Sequence, residues 1–582
     1  MNRTLLFIAA LVSIRFSVFS QVKVNLADTQ PSWTTVLGGS VLTTPVRNST
    51  GYIAAVEGKM LYAFNEEGTI IWKHSVSSKP DIMSVGKGGM LYLITRSNRL
   101  SIVNPSGFEL WKVNTGFNVI EKPLPGRDGR VFVRGNVELS CYGIKGARRW
   151  HMNIAEQNTS IPLIELNDGR LLVFLNKSRS GQSIAYIISP FGQLEEEIVF
   201  SGIVASAESC SQGVLLSFSD GSIGLCTVKN GKTVSQWILG KSETGFSSSA
   251  IIVPAAFPDS IAAFASGSKL LYINQKNGAI TASLSSSVNA SSGNTSSLAF
   301  KGVTAQGLVL ADKAGAECYD RRGALIWQAR FNTSKAWDYL IVTDEGYIVF
   351  CRNDWVIESY RVWQSTAASA SSYTEQAFSH YRDLYSKTSI SSNEILGRAV
   401  SSKLSKEIAE GWKSEDFGTK EKQWLSILSN EMDSLYYDWM TASSTQNPYF
   451  KQNVSYTQEI LNLASESGIC LYQNYIANML KTVSDQTMTT ILAKNAGAMA
   501  YDPKGDMLNA LAYKAMHAPP KSSDKLFFAI CDATFEICRF MGKPAFFQRG
   551  NEILTYMMSP QFNKRVHAYA KDTLEKIMNL NI

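Results

Sequence analysis

The sequence predicts a multi-domain protein, an all-β propeller of eight four-stranded blades followed by an all-α helical-repeat domain. Three observations predict this order. A β-rich unit with the period of a propeller blade recurs through the first two thirds of the chain. The turn-rich pattern then gives way to helical spacing of apolar residues. A short apolar segment precedes both regions at the N-terminus.

Residues 1–20 carry the features of a secretory signal peptide. Arg3 supplies a positive charge, and Leu5–Ile14 is an apolar run of ten residues, which is too short to span a bilayer. Small residues precede Gln21 and suit cleavage there. We therefore expect an exported protein, periplasmic or secreted, that has no transmembrane segment after cleavage. Arg15 beside the apolar run leaves an uncleaved membrane anchor as the alternative.

Four ten-residue segments place glycine at position six and tryptophan at position ten. The segments are Ala63–Trp72, Ile102–Trp111, Cys141–Trp150 and Cys318–Trp327. Their paired residues are Gly68 and Trp72, Gly107 and Trp111, Gly146 and Trp150, and Gly323 and Trp327. Less regular copies surround Gly192, Gly231 and Gly278. Seven glycine turns thus follow one another at spacings of 39 to 47 residues.

Each tryptophan is predicted to lock its blade against the next one. Glycine adopts the positive φ that the turn needs, and the tryptophan four residues later lies on the outer strand of the blade. A buried indole removes a large apolar area from water, and truncating it costs about 3–5 kcal/mol. We therefore expect Trp111→Ala to lower the free energy of unfolding by about that amount.

The two ends of the repeat region predict how the ring closes. Residues 345–360 read as strands after the seventh unit but lack a glycine turn followed by a tryptophan strand. Residues 31–39, around Trp33, read as an outer strand with no strands before it. Together the two fragments complete an eighth blade, which removes the exposed edges of an open ring. Seven blades remain the alternative, because the units at Gly192 and Gly278 lack tryptophan.

The run Ala-x-Asn-x-x-Gly-x-x-x-Trp at Ala63–Trp72 resembles the tryptophan-docking motif of PQQ-like (quinoprotein-type) propeller repeats. The resemblance extends over roughly residues 33–363 and implies a propeller domain over residues 21–362. This fold hosts enzymes, scaffolds and receptors alike. The resemblance therefore predicts an architecture and leaves the function open.

Residues 363–393 are predicted to form a linker and a connecting helix, and residues 394–582 an α-helical domain. From about residue 485 the pattern resembles HEAT-type helical repeats. Ile491–Met516 places an Asp-Pro turn between two helical segments, and Ile537–Met557 repeats this order with Gly-x-Pro. A generic helical bundle is the alternative. Stacked helix pairs offer a surface for partner proteins.

The sequence presents no catalytic, cofactor-binding or metal-ligating constellation. The five histidines lack the spacing of a helical zinc site, and neither a nucleophile elbow nor a phosphate-binding loop is present. The family resemblance implies one enzymatic alternative, a PQQ-dependent quinoprotein dehydrogenase. Such enzymes commonly hold a disulfide of adjacent cysteines against the quinone, and the eight cysteines here include no adjacent pair. Most are expected to be small buried hydrophobes.

These observations predict a non-enzymatic exported binding or scaffold protein that needs no cofactor. Its expected partners are other proteins of the cell envelope or extracellular space, engaged by the propeller and the helical surface. The formal charge of +7 falls to +5 once Arg3 and Arg15 are removed, which does not call for a nucleic-acid partner. A carbohydrate-binding propeller at the cell surface is a further alternative.

Overall fold

The computed structural model describes residues 22–362 with short gaps, four positions between 458 and 465, and residues 472–580 without 520. The gaps in the first range are 49–50, 127, 155–160, 167–168, 178–180, 201, 211, 230–231, 254–260, 291–299, 304–306, 321, 333–336, 344–345 and 353–354. The predicted signal peptide, the linker and most of residues 394–471 lie outside the described residues.

The β region is a ring of eight sheets, each of which is one blade. Two N-terminal strands, β1 and β2, precede blade 1 and are Val22–Asn25 and Trp33–Val36. Blade 1 contains β3 to β6, which are Val46–Asn48, Gly51–Val56, Met60–Phe64 and Ile70–Ser75. Blade 2 contains β7 to β10, which are Pro80–Val85, Leu91–Thr95, Arg99–Val103 and Glu109–Asn114. Blade 3 contains β11 to β14, which are Leu124–Pro125, Val131–Arg134, Glu138–Tyr142 and Arg148–Asn153.

The remaining blades continue in chain order. Blade 4 contains β15 to β18, which are Ile164–Glu165, Leu171–Lys177, Gln182–Ile188 and Leu194–Val199. Blade 5 contains β19 to β22, which are Val204–Cys210, Gly213–Phe218, Ile223–Lys229 and Lys232–Leu239. Blade 6 contains β23 to β25, which are Ile251–Val253, Ile261–Asn274 and Ile280–Ala290. Blade 7 contains β26 to β29, which are Phe300–Val303, Leu308–Ala311, Gly315–Tyr319 and Leu325–Arg330. Blade 8 contains β30 to β32, which are Tyr339–Val342, Tyr347–Cys351 and Val356–Arg361.

Burial explains the composition of the strands. Every residue of β4 and β8, which are middle strands, is buried, and both strands are apolar along their length because neighbouring blades cover both faces. The outer strand β6 instead alternates part-buried and exposed positions. In blade 6, β24 supplies both middle strands, since its residues 263–265 pair with β23 and its residues 269–273 pair with β25. Gly267 lies between these halves at φ 59°.

The two N-terminal strands close the ring. β2 pairs antiparallel with β32, with Trp33 opposite Ser359, and becomes the outer strand of blade 8. The predicted eight-bladed ring and its completion by the segment around Trp33 are therefore confirmed, and the seven-bladed alternative is wrong. β1 adds a feature that the sequence did not predict. It pairs parallel with β29, with Val22 opposite Trp327, and forms a fifth strand on blade 7.

The predicted helical region is confirmed for the described residues. A short helix, α1 (Lys241–Thr244), follows blade 5, and six helices lie within residues 472–580. These are α2 (Gln473–Thr482), α3 (Gln486–Met499), α4 (Asp506–His517), α5 (Asp524–Met541), α6 (Pro544–Met557) and α7 (Lys564–Leu580). Contacts arrange α2, α4 and α6 in one layer and α3, α5 and α7 in a second. No described helix is both long and apolar enough to cross a bilayer.

Local sequence explains how the helices end and approach one another. Gly542 takes a left-handed conformation after α5, and Pro544 opens α6, the usual placing of glycine and proline at helix ends. Gly497 on α3 allows close approach to α5, since a Cβ there would lie 2.8 Å from the Cα of Ala533. Small residues therefore lie where α3 and α5, neighbouring helices of one layer, meet.

Candidate binding groove between the propeller and the helical stack

Three of the predicted tryptophans dock against the glycine turn of the following blade. Each indole Nε1 donates a hydrogen bond to a backbone carbonyl of that turn, from Trp72 to Pro105 at 2.8 Å, from Trp111 to Ile144 at 2.7 Å, and from Trp150 to Pro190 at 2.9 Å. The turn glycine lies under the indole at positive φ. A Cβ on Gly107 would lie 2.7 Å from the Trp72 ring, and one on Gly146 would lie 2.8 Å from the Trp111 ring. Both the backbone angle and the ring contact therefore favour glycine.

Two of the predicted glycines meet different partners. Gly68, at φ 79°, lies against the indole of Trp33 from β2, so the N-terminal strand supplies the lock where the ring closes. Gly323, at φ 83°, lies against Leu284 of blade 6 instead of a tryptophan. Trp327 is fully buried in the core that β1 helps to cover.

Sequence reasoning missed a further tryptophan lock in blade 5. The Nε1 of Trp237 donates to the carbonyl of Gln275 at 2.8 Å, and a Cβ on Gly278 would lie 2.9 Å from its ring. The tryptophan follows Gly231 by six positions instead of four, because β21 and β22 extend into a longer hairpin. One signal was available, since Trp237 is the sole tryptophan between Trp150 and Trp327.

A buried arginine supports the lock between blades 3 and 4. The guanidinium of Arg130 donates from Nε to Asp128 Oδ2 at 2.6 Å and from Nη1 to the carbonyl of Pro190 at 2.7 Å. Trp150 donates to the same carbonyl. Asp128 lies in the turn that joins the antiparallel strands β11 and β12. The ion pair beneath the turn had no sequence signal.

The helical stack docks on the glycine turn of blade 2. Asn104 Nδ2 donates to the carbonyl of Arg539 at 2.8 Å, and Ser106 Oγ donates to the carbonyl of Gly542 at 2.7 Å. A Cβ on Gly542 would lie 2.6 Å from the Asn104 side chain. Met90 of blade 2 and Phe540 of α5 belong to one continuous apolar core. The two regions are therefore joined by buried contacts as well as by hydrogen bonds.

A groove with a cavity volume of about 450 Å³ runs beside this junction. Leu110 and Trp111, from the outer strand of blade 2, line one side. The C-terminal halves of α3 and α5 line the other side with small residues, Gly497, Ala498, Ala500 and Ala533. We call this feature the junction groove. Charged side chains also line it, namely Lys145, Lys494, Asp532, Glu536 and Arg539.

Most of these charges have partners within the helical stack. Glu536 accepts hydrogen bonds from Arg539 Nε at 3.1 Å and Nη2 at 2.7 Å. Asp532 accepts one from the hydroxyl of Tyr569 at 2.7 Å, and this bond raises the pKa of Tyr569 to about 12. Lys494 is exposed and has no ion-pair partner in the part of the chain that the structure describes. It leaves a positive charge at the rim.

A titratable carboxyl group lies in the turn that leads into the docked helices. Asp502 is 1% exposed, and burial raises its pKa to about 6 although its carboxylate accepts the backbone N–H of Leu508 at 2.9 Å. Burial lowers the pKa of the nearby Lys543, and the charge of Asp502 opposes that shift. Pro503, the next residue, lies beside the Gly88 turn of blade 2. The free energy of folding near the junction therefore depends on whether Asp502 is protonated.

The described residues that line the groove include neither histidine nor cysteine. Within the described ranges, no three His, Cys, Asp or Glu side chains are placed to hold a metal ion. The seven described cysteines are free thiols in buried positions, as most cysteines were expected to be, and burial raises the pKa of Cys538 to about 12. What the groove offers is an aromatic wall, a small-residue wall and a charged rim.

Solved structures match this chain over slightly more than half of its length. BamB from Moraxella catarrhalis is 14% identical, with 58% of this chain and 98% of that chain covered and a TM-score of 0.40. Saccharomyces cerevisiae Sqt1 is 11% identical over 57% of this chain and 98% of that chain, with a TM-score of 0.42. The Dos1 propeller is 12% identical over 58% of this chain and 96% of that chain, with a TM-score of 0.41. No protein-family model and no curated protein matches the chain.

Proposed function

We propose that the protein is a non-enzymatic, exported binding or scaffold protein that engages other proteins of the cell envelope or extracellular space. The proposal includes cleavage of residues 1–20, PQQ-like character of the blades and HEAT-like character of the helical stack. It assigns no cofactor and no catalytic residue.

The observation that carries the proposal is the junction groove. One wall comes from a propeller blade and the other from the helical stack, and the shared core and the Asn104 and Ser106 hydrogen bonds hold the walls together. A groove between two joined architectures, with an aromatic side chain and a charged rim, has the composition of a protein-binding surface. Trp111 supplies the type of residue on which binding energy concentrates.

The experiment is purification of the full-length protein at native abundance from the envelope fraction of cells that produce it, followed by chemical cross-linking and mass spectrometry. We expect the mature chain to begin at Gln21 and to copurify with a partner protein in fixed stoichiometry. Recovery of the chain alone, in several detergents and salts, would contradict the scaffold role. Saturable binding of PQQ in the presence of Ca²⁺, with dye-linked oxidation of an alcohol or sugar, would replace it with the dehydrogenase.

A further inference from the structure

One blade of this propeller already shows how a blade edge takes up an additional strand. β1 lies along the outer edge of β29, parallel to it, with Val22 opposite Trp327 and Asn25 opposite Arg330. Val22 and Val24 turn towards the apolar core of blade 7, and the two residues that alternate with them are exposed. Four residues with alternating apolar and polar side chains therefore suffice to occupy this edge.

The same position on blade 2 lies in the junction groove. Trp111 holds the place in its blade that Trp327 holds in blade 7, since each is the tryptophan at position ten of the repeat. β10 is the last strand of its sheet, and no described residue pairs with its outer edge. Trp111 is part-buried, whereas Trp327 beside β1 is fully buried.

The surroundings of β10 suit an extended polypeptide. Strand edges present unpaired N–H and C=O groups that recruit other strands, and proteins use this for peptide recognition. The opposite wall consists of the small side chains of α3 and α5, among them Ala498 and Ala533, which leave room for the side chains of an added strand. Glu109 and Lys112 on β10 form an ion pair, with Lys112 Nζ 2.7 Å from Glu109 Oε1, and so neutralise one another.

We propose that the junction groove binds an extended segment of a partner protein as a fifth strand, parallel to β10. This inference rests on the proposed function and names its recognition mode. The segment has apolar residues at alternate positions, as β1 does, which pack beside Trp111. An acidic residue at one of the other positions complements the exposed Lys494 at the rim.

Photo-cross-linking at the strand edge tests the proposal. p-Benzoylphenylalanine replaces Lys112, which is exposed and follows Trp111, in the full-length protein inside the producing cells. The matched control carries it at Lys73, the exposed residue that follows Trp72 on the outer strand of blade 1. We expect a cross-link from position 112 to one extended segment of one partner, identified by mass spectrometry, and none to that segment from position 73.

A synthetic peptide of the cross-linked segment then provides an equilibrium measurement with the purified protein. Ala498→Trp fills the groove from an exposed position of α3, and we expect it to weaken peptide binding by at least about tenfold. Thr487→Trp, at an exposed position earlier on the same helix, should leave the affinity unchanged. Bound peptide should also slow amide exchange in β10.

The alternative results are distinguishable. A partner that copurifies but cross-links equally from positions 112 and 73 leaves the scaffold function in place and overturns the strand site. Cross-links from position 112 to residues 363–471 of the same chain, or to a second copy, also overturn it, because the groove is then filled by this protein. The absence of any copurifying partner contradicts the proposed function and this inference together.

Discussion

The propeller and the helical stack arrange their strands and helices in opposite ways. The propeller is a closed ring in which Trp33, Trp72 and their equivalents each pack on the next glycine turn, and the N-terminal strands fill the last positions. The stack is a linear array in which helices contact the second one along, as α3 contacts α5, and in several places the adjacent one, as α2 contacts α3. Closure links every blade interface to the others, whereas each helix of a linear stack depends on the few helices that it contacts.

The two regions also differ in the side chains that pack between their elements. Large aromatic side chains lie between blades, as at Trp150, which is 2% exposed. Small residues lie between helices, as where Gly497 meets Ala533 and Gly550 meets Cys538. Truncating a buried side chain should therefore destabilise the propeller, and enlarging a buried side chain should destabilise the helical stack. The following predictions test that contrast, beginning with the largest expected effect.

Removal of residues 22–36 should destabilise the protein more than any single substitution. It deletes β1, the outer strand of blade 8 and the Trp33 lock on Gly68, with an expected loss of at least about 5 kcal/mol. Denaturant unfolding of the purified variant and wild-type proteins measures it. Removal of residues 22–25 alone is the control, and it should cost much less because β2 still closes the ring. Equal midpoints for the two deletions would show that β2 does not close the ring energetically.

Trp150→Ala should lower the free energy of unfolding by about 3–5 kcal/mol, because it empties the space between blades 3 and 4 and removes the hydrogen bond to Pro190. Trp111→Ala should lower the free energy of unfolding by less than Trp150→Ala, because Trp111 is only part-buried. Trp355→Ala is the matched control, since that side chain is 49% exposed. The interblade role of the indole would be refuted by equal denaturation midpoints for the Trp150 and Trp355 variants.

Gly497→Val should destabilise the helical stack by about 1–3 kcal/mol, because the new side chain collides with the backbone of α5 at Ala533. Ala498→Val, one position further along α3 and exposed, is the control for the change in helix propensity. Helical circular dichroism followed during chemical unfolding measures both variants. Matching transitions would mean that α3 and α5 are not closely packed there.

Asp502→Asn should stabilise the protein at pH 7.5, by an amount on the order of 1 kcal/mol. The pKa of Asp502 is about 6 in the folded state, against an ordinary value of 3.8. The folded state therefore keeps a proton between these values that the unfolded chain has lost, so stability falls as the pH rises from about 4 to about 6 and then levels. The asparagine oxygen can still accept the N–H of Leu508.

Unfolding midpoints at pH 4.5 and pH 7.5 measure this effect. We expect the advantage of Asp502→Asn to shrink at the lower pH, where the aspartic acid is itself protonated. Glu575→Gln, on an exposed position of α7, is the control. A variant that is less stable than the wild type at pH 7.5 would show that the carboxylate is stabilising in its charged form.

The repeat itself made most of the fold predictable. Glycine turns that recur with tryptophan at a fixed distance specify blades, since a turn at positive φ and an indole of fixed reach define one local geometry. The eighth blade was predictable because the fragments around Trp33 and at residues 345–360 complement one another. The helical character of the C-terminal region followed from its spacing. The lock formed by Trp237 was not predicted, because a longer hairpin moves this tryptophan out of the four-residue spacing from glycine to tryptophan.

The junction groove was not predictable from the sequence. Asn104 and Ser106 read as ordinary turn residues, and their bonds to Arg539 and Gly542 join positions more than 400 residues apart. The addition of β1 to β29 likewise depends on where the ring places residues 22–25. Local patterns determined the blades, the helices and their caps, because those depend on backbone angles and nearby apolar faces. Only the tertiary structure decided which blade the helices cover, because that depends on surface complementarity between distant segments.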